Sequence, residues 1–179
     1  RFMFNDPKII VALDYSNAQS ALALLEQLQP TVCRVKIGKE LFTSAGPVFV
    51  ENMVKRGFDV FLDLKFHDIP STVAKACIVA ADLGVWMINV HALGGLRMME
   101  AAREALDNGA HKPYLIAVTI LTSHTQEDLQ TIGLQGSAQD NVLRLVNHAR
   151  AARLDGVVCS PMEVAKIRSQ VGENFLLVT

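Results

Sequence analysis

The sequence predicts an α/β fold, and within that class a (β/α)8 barrel, the TIM-barrel architecture. Seven short apolar runs alternate with segments whose apolar residues recur at helical spacing. Several runs are apolar almost throughout, as expected of parallel strands that are covered on both faces. Such an alternation suits either a barrel or a doubly wound open sheet.

The positions of the polar residues favour the barrel over the open sheet. We place the strands at residues 9–13, 33–37, 59–64, 86–90, 114–121, 156–159 and 175–178. Polar residues lie at or just past the carboxyl ends of six of them: Asp14, Lys36, Asp63, Lys65, His91, Thr122 and Ser160. A barrel gathers these ends around one mouth, where its active sites lie, whereas an open sheet spreads them along an edge.

Capping residues and glycines mark the helices between the strands. Apolar residues at helical spacing occupy residues 21–28, 73–81 and 142–149. Ser71 or Thr72 could cap the second of these helices. Ser137 and Asp140 form a capping box before the third. Glycines are expected to end helices at Gly57, Gly84 and Gly172.

Composition points to one globular domain with no affinity for nucleic acid. Half of the 179 residues are hydrophobic, so we expect residues 1–179 to form a single barrel domain. The 17 basic and 18 acidic residues nearly balance, which gives no global field to attract nucleic acid or an anionic membrane. We find no membrane-spanning stretch and no secretory signal. Three distant cysteines, Cys33, Cys77 and Cys159, suggest reduced thiols in a cytoplasmic protein.

The number of strands suggests that the barrel is incomplete. A (β/α)8 barrel has eight strands and typically about 250 residues, whereas this sequence reaches only a seventh strand before Thr179. An unclosed barrel exposes a long strand edge. We therefore expect part of a longer chain, without the eighth strand and the last helices.

The densest group of charges follows the third strand. Asp63 and Lys65 are two residues apart, a spacing at which strand side chains share a face. Asp68 follows in the turn before the next helix. Charges at the end of a hydrophobic strand cost desolvation energy, so they either pair with one another or take part in chemistry. A structural ion-pair network at the barrel rim is the alternative to an active site.

These residues lie in motifs that resemble the orotidine 5'-phosphate decarboxylase family in its bacterial form. Residues 63–72 follow the pattern Asp-x-Lys-x-x-Asp-Ile-Pro-x-Thr. They are flanked by residues 11–14, 35–38, 89–92 and 155–160, which read VALD, VKIG, NVHA and DGVVCS. The resemblance implies a cofactor-free carboxy-lyase that converts orotidine 5'-phosphate (OMP) to UMP in pyrimidine biosynthesis.

The resemblance implies the catalytic residues one by one. Lys65 would protonate the ring carbon as CO2 leaves, and Asp63 would stand beside the substrate carboxylate. Lys36 and Asp68 would complete the charged network. The family works as a homodimer, so Asp68 is expected to enter the active site of the partner subunit.

Substrate contacts are implied by the same resemblance. The expected set is Asp14, Lys36, Asp63, Ile69, Thr72, Thr122 and Ser160. Asp14 and Lys36 would lie at the ribose, and Ser160 at the pyrimidine edge. Ile69 and Thr72 would reach the partner's site. The family's phosphate-binding loops follow its seventh and eighth strands, so residues 1–179 are expected to be inactive alone.

Fixed charges could supply this chemistry without a cofactor or a metal ion. Loss of CO2 from an sp2 carbon leaves a carbanion that the ring hardly delocalises, so stabilisation must come from preorganised charge. A lysine ammonium between two carboxylates stays charged and can deliver a proton.

Several of these residues also have plainer interpretations. Asp14 could start a turn or cap the next helix, and Thr122 could be ordinary loop polarity. Ser160 could also cap a helix, because Pro161 and Glu163 follow it at positions that favour a helix start. His67 and His91 invite a metal interpretation, but no acidic partner lies at ligand spacing, so we expect no metal site.

Two other functions stay open. The related sugar-phosphate decarboxylases and hexulose-phosphate synthases share the Asp-x-Lys-x-x-Asp arrangement but use Mg2+. They carry an acidic metal ligand where this chain has Lys36, which argues against them. The other possibility is a non-catalytic barrel that binds phosphometabolites.

Overall fold

The structure, a computed structural model, describes residues 6–179 as a single sheet flanked by helices. The strands are β1 (Ile10–Ala12), β2 (Arg34–Gly38), β3 (Val60–Phe66), β4 (Met87–His91), β5 (Tyr114–Val118), β6 (Gly156–Val158) and β7 (Leu176–Val178). The α-helices are α1 (Ala18–Leu25), α2 (Lys39–Lys55), α3 (Pro70–Asp82), α4 (Leu96–Asn108), α5 (Gln126–Thr131), α6 (Ala138–Ala151) and α7 (Val164–Val171). Short 3-10 helices at Ala92–Gly94 and Pro161–Glu163 follow β4 and β6.

Strand order identifies the wall of a barrel. Each strand pairs in parallel with the next one along the chain, in the order β1 to β7. A doubly wound sheet reverses its strand order at a switch point, and this sheet has no reversal among the described residues. Because all crossover connections have the same handedness, the helices lie on one face of the sheet, and the sheet curls so that its other face is inside. The barrel prediction is therefore confirmed.

All seven predicted strands are present, and one of them ends well before its predicted last residue. Strand ends agree within one or two residues except in β5, which stops at Val118 rather than at residue 121. Val118 pairs with Val158, the last residue of β6. Beyond that point β5 has no partner on this side, so the ladder ends.

Two apolar layers cover the faces of the sheet. The larger lies between the sheet and the helices and includes Leu62, Ile88 and Leu115. The smaller one consists of Phe61, Met87 and Ile116, with partly buried residues of β1, β6 and β7 packed against it. Because side chains alternate along a strand, the smaller layer lies inside the barrel.

The helix starts confirm two capping predictions and correct a third. Ser137 and Ser160 each form a capping box, with Asp140 and Glu163 respectively. The prediction that Ser71 or Thr72 caps α3 is wrong. Pro70 is the first helical residue and Ile69 precedes it with no side-chain cap, since the fixed φ of proline suits the first turn.

Helix ends agree with the glycine prediction. Gly57, Gly84 and Gly172 lie one or two residues past the last residues of α2, α3 and α7 and have φ of 91°, 81° and 77°. These left-handed conformations are accessible to glycine at little cost.

A buried arginine closes the end of the barrel opposite the mouth. The Arg34 guanidinium pairs with Asp6 at 2.9 Å and with Asp59 at 3.0 Å. It also stacks 4.0 Å from the centre of the Trp86 ring, which packs edge-on against Tyr114. This cluster fixes the amino ends of the strands.

The described residues include no membrane-spanning helix, and their cysteines are reduced. Within residues 6–179 no helix is long and apolar enough to cross a membrane. Cys33, Cys77 and Cys159 are free and buried. Burial raises the pKa of the Cys77 thiol to about 12, so this thiol is not a nucleophile at neutral pH.

Candidate active site

The candidate site lies at the mouth, where the carboxyl ends of β2, β3 and β4 meet. Asp63 and Asn89 follow Phe61 and Met87 by two residues, so their side chains point into the barrel above the inner apolar layer. Lys36 lies on the neighbouring strand, where its backbone pairs with Phe61. Polar side chains from three strands therefore converge at one level.

Asp63 is the centre of this cluster, and its side chain is almost fully buried. The Lys65 ammonium donates to Asp63 Oδ1 at 2.8 Å, and Asn89 Nδ2 donates to the same oxygen at 2.7 Å. Lys36 Nζ lies 3.5 Å from Asp63 Oδ2. Three of the predicted residues are thus brought into direct contact.

The pKa of the Asp63 carboxyl lies below its ordinary value of 3.8. Burial is the largest single influence and opposes ionisation. The hydrogen bonds from Lys65 and Asn89, with the charges of Lys65 and Lys36, together outweigh it. Asp63 is therefore a carboxylate at neutral pH.

β3 is irregular where it carries this cluster. Between Leu62 and Phe66, β3 advances four residues while β4 advances only two. Lys65 lies inside this bulge with φ of 51°, a left-handed conformation that costs about 1–3 kcal/mol in a residue with a Cβ. The two-residue spacing correctly predicted that Asp63 and Lys65 meet. They do so, however, on a bulged strand and not on the regular one assumed from the sequence.

Asn89 is the member of the cluster that was not predicted from the sequence. Its side chain has no solvent exposure, and its Oδ1 accepts the backbone N–H of Lys65 at 2.9 Å. A lone amide inside the apolar run of residues 86–90 was the available signal, because a buried polar side chain needs partners.

Asp68 and Ile69 lie on the exposed turn between β3 and α3, and Thr72 is exposed in the first turn of α3. Asp68 accepts the N–H of Ile69 at 2.6 Å and makes no ion pair within residues 6–179. Ile69 is 63% exposed. The structure therefore does not bring Asp68 into contact with Lys65 of the same chain.

Asp14, Thr122 and Ser160 follow β1, β5 and β6 at the same end of the barrel. The Asp14 carboxylate lies beside the end of β2, since a Cβ on Gly38 would be 4.0 Å from its Oδ1. Asn17 caps α1, so Asp14 is not a helix cap. Thr122 is exposed. Ser160 Oγ accepts the N–H of Met162 at 3.2 Å, which confirms its capping role; its contact with substrate stays a prediction.

Two histidine rings lie close together near the mouth. The rings of His67 and His91 are 5.5 Å apart, and the buried Nδ1 of His91 has no hydrogen-bond partner among the described residues. Burial, followed by the charges of His67, Lys39 and Lys65, lowers the pKa of His91 to about 4. Residues 6–179 contain no group of three or more His, Cys, Asp or Glu side chains placed to hold a metal ion.

Comparison with known proteins identifies the family. Residues 7–179 match the model of the Orotidine 5'-phosphate decarboxylase / HUMPS family. An orotidine 5'-phosphate decarboxylase of Nitrosospira multiformis is 59% identical over 98% of this chain and 72% of the relative. One from Vibrio cholerae is 57% identical over 98% of this chain and 76% of the relative.

Solved structures agree with the sequence comparison. The crystal structure of orotidine 5'-phosphate decarboxylase from Lactobacillus acidophilus superposes with a TM-score of 0.91 at 39% identity, covering 97% of this chain and 80% of that one. An uncharacterized conserved protein from Geobacillus kaustophilus gives 0.89 at 41% identity, covering 94% and 81%. The resemblance found in the motifs is confirmed, and the chain belongs to the orotidine 5'-phosphate decarboxylase / HUMPS family.

Proposed function

We propose that this chain carries the active site of a carboxy-lyase that converts OMP to UMP and CO2 without a cofactor. The observation that carries the proposal is the contact of Asp63 with two ammonium groups, Lys65 at 2.8 Å and Lys36 at 3.5 Å. Relatives that are 57–59% identical bear the name of this activity.

The proposed reaction breaks one carbon–carbon bond and forms one carbon–hydrogen bond. The bond between the pyrimidine ring and its carboxylate breaks, and its electron pair stays on the ring carbon. Lys65 gives that carbon a proton, so CO2 leaves and UMP remains. The lone pair lies in the plane of the ring and is poorly delocalised, which makes the fixed ammonium its main stabilisation.

Asp63 is proposed to act on the substrate carboxylate. The Asp63 side chain is ionised and fixed by Lys65 and Asn89, so it cannot turn away from an approaching anion. Two like charges about 4 Å apart repel by about 4 kcal/mol at an effective dielectric of 20. This repulsion disappears as the carboxylate becomes neutral CO2, which favours the transition state over the ground state.

The remaining contacts of the substrate are assigned by position at the mouth. Asp14 and Lys36 are proposed for the ribose hydroxyls, because Asp14 lies beside the end of the strand that carries Lys36. Ser160 is proposed for the pyrimidine, and Thr122 for a further contact with the substrate. Ser160 Oγ uses a lone pair for its cap, so its hydroxyl proton stays available for the base.

A homodimer is proposed to complete each active site. Asp68, Ile69 and Thr72 are exposed and would enter the mouth of the partner subunit. The absence of an ion pair for Asp68 within residues 6–179 supports this arrangement, because a carboxylate that served its own Lys65 would contact it here.

We also propose that the chain forms one domain, since one sheet holds every described strand. We further propose a cytoplasmic location, which the free buried cysteines support.

Replacing Lys65 tests the proposal. The matched segment is 72–76% of the relatives' length, so activity is measured on the full-length protein. Lys65→Ala should lower kcat for CO2 release from OMP by about a thousandfold or more, because it removes the proton donor. Lys55→Ala, an exposed lysine at the far end of α2, is the matched control and should keep the wild-type rate. A Lys65→Ala protein with wild-type kcat would rule the mechanism out.

A chelator separates this function from that of the magnesium-dependent relatives. Lys36 places a positive charge 3.5 Å from the carboxylate that would have to bind the metal ion. EDTA should therefore leave CO2 release from OMP unchanged. Loss of activity in EDTA, with recovery in Mg2+, would favour the metal-dependent class.

A further inference from the structure

We propose that Asn89 is a positioning residue: its side-chain amide fixes the Asp63 carboxylate and holds the backbone of Lys65, and so directs the Lys65 ammonium into the mouth. The inference rests on the proposed function for its catalytic consequence. Asn89 is fully buried and lies beneath the charged residues, so it is not expected to touch the substrate itself.

The bulge in β3 creates the need for such a residue. The ladder between β3 and β4 is regular up to Leu62 and is restored only at Phe66. Lys65 has no paired residue on β4 within this gap, and its N–H donates to Asn89 Oδ1 at 2.9 Å. The Asn89 side chain therefore takes the place of a backbone hydrogen bond between β3 and β4.

The side-chain amide of Asn89 also fixes the Asp63 carboxylate. Asn89 Nδ2 donates to Asp63 Oδ1 at 2.7 Å, the oxygen that also accepts from the Lys65 ammonium at 2.8 Å. Asp63, Lys65 and Asn89 thus form a closed ring of three hydrogen bonds. The conformation of Lys65 is left-handed, so the backbone would relax if the ring opened.

Only a group with one donor and one acceptor can make both bonds of Asn89. A primary amide has both, and so does a protonated carboxylic acid of the same shape. An ionised carboxylate has acceptors only and would face Asp63 with a second negative charge. Alanine has neither group. In the Asn89→Asp variant, the side chain can therefore make both hydrogen bonds only while its carboxyl group is protonated.

The charged groups around position 89 are few. Asp63 and Lys65 contact it from β3, and Lys36 lies across Asp63 on β2. On β5 the paired residue is the apolar Ile116. His91 shares the inward face of β4, two residues further on. Burial and the Asp63 charge favour the protonated acid at position 89, whereas the two lysines oppose it.

The test compares Asn89→Ala and Asn89→Asp in the full-length protein. For Asn89→Ala we expect kcat to fall at least about tenfold per folded molecule while KM for OMP changes less than about threefold, since misplacing a catalytic group weakens chemistry more than binding. For Asn89→Asp, the rate relative to wild type should rise as the pH is lowered from about 8 to about 5. Urea unfolding of each variant corrects for loss of folded protein.

Asn141 supplies the matched control. It is also a buried asparagine, and its Nδ2 donates to the carbonyls of Gln135 and Ser137 at the start of α6, away from the charged cluster. Asn141→Asp should cost stability but should introduce no new pH dependence of kcat. If Asn89→Ala keeps kcat within about threefold of wild type, or if Asn89→Asp follows the wild-type pH profile, Asn89 is not a positioning residue.

A crystal structure of Asn89→Ala tests the inference without any activity. We expect Lys65 to leave the left-handed region and its ammonium to lose the 2.8 Å contact with Asp63. An unchanged Lys65 would overturn the inference. If wild type itself released no CO2 from OMP, the proposed function would fail, and this structural result would still decide the role of Asn89.

Discussion

Asp63 and Lys65 form an ion pair of 2.8 Å at the point where β3 leaves regular geometry. The pair is tight because Asp63 is buried and also receives a hydrogen bond from Asn89. The pKa of Asp63 is lowered, so the pair persists well into the acid range. A substrate carboxylate arriving at this mouth would meet one fixed negative and two fixed positive charges.

Neutralising Asp63 separates its effect on binding from its effect on chemistry. Asp63→Asn keeps the shape and the hydrogen bonds but removes the charge, so kcat should fall by about a hundredfold or more. OMP carries a carboxylate that UMP lacks. Loss of the repulsion should therefore tighten OMP binding by about tenfold or more and leave UMP binding unchanged.

The affinities are measured by calorimetry in a Lys65→Ala background, so that OMP is not consumed during the titration. The comparison is between Lys65→Ala and the double variant Lys65→Ala/Asp63→Asn. Equal affinity of the two proteins for OMP would show that Asp63 does not act on the substrate carboxylate.

Mixing two inactive variants tests the proposed dimer. Lys65→Ala and Asp68→Ala should each be nearly inactive as homodimers, because each lacks one part of every site. In a mixed dimer, one site lacks both residues and the other has both. Equal mixing, after unfolding and refolding together, should therefore restore about a quarter of the wild-type kcat.

The control for this experiment is a mixture of Lys65→Ala with Asp63→Ala. Both residues belong to the same site, so no mixed dimer contains an intact one and no activity should return. Recovery in this control, or no recovery with Asp68→Ala, would contradict a cross-subunit role for Asp68.

The sequence predicted the barrel because its signals are local and repeated. Each strand is a short apolar run, and the polar residue after it predicts one position on the mouth. Asp63 and Lys36 were found in this way, and they do meet. The sequence could not predict the bulge, because Lys65 is neither glycine nor asparagine and gives no sign of a left-handed backbone.

Asn89 and the start of α3 were missed for different reasons. One polar residue in an apolar run is weak as a pattern, and its importance comes from partners 24 and 26 residues earlier in the chain. At α3, the cap was assigned to Ser71 or Thr72 from residue preference. Pro70 already sets the backbone of the first turn, so no side-chain cap is needed there.

The closed end of the barrel predicts a stability effect without a catalytic one. Arg34→Ala removes two ion pairs and the stacking on Trp86. Because Asp6 and Asp59 are about half exposed, they would be solvated after the change, and we expect a loss of about 1–3 kcal/mol in the free energy of unfolding. Urea titration measures it, with Arg56→Ala, an exposed arginine, as a control that should change stability by less than about 0.5 kcal/mol.

The rate per folded molecule should stay at the wild-type value in Arg34→Ala, because Arg34 lies at the opposite end of the strands from Lys36 and Asp63. A change in kcat larger than about threefold would show that the two ends of the barrel are coupled.

His91 predicts a loss of stability in mild acid. Its pKa is about 4 in the folded protein, lowered by burial first and then by His67, against 6.5 in the unfolded chain. As the pH falls below 6.5, the unfolded chain binds a proton at this residue before the folded one does, so the free energy of unfolding decreases until about pH 4 and then levels off. Asp63 contributes its own loss only below 3.8.

Replacing the imidazole isolates this effect. His91→Gln cannot titrate, so its free energy of unfolding should fall less than that of wild type between pH 6.5 and pH 4, as measured by urea titration at each pH. His111→Gln, an exposed histidine before β5, should retain the wild-type pH dependence. Parallel curves for wild type and His91→Gln would show that His91 takes up its proton equally well in both states, and that its burial beside His67 does not hinder protonation.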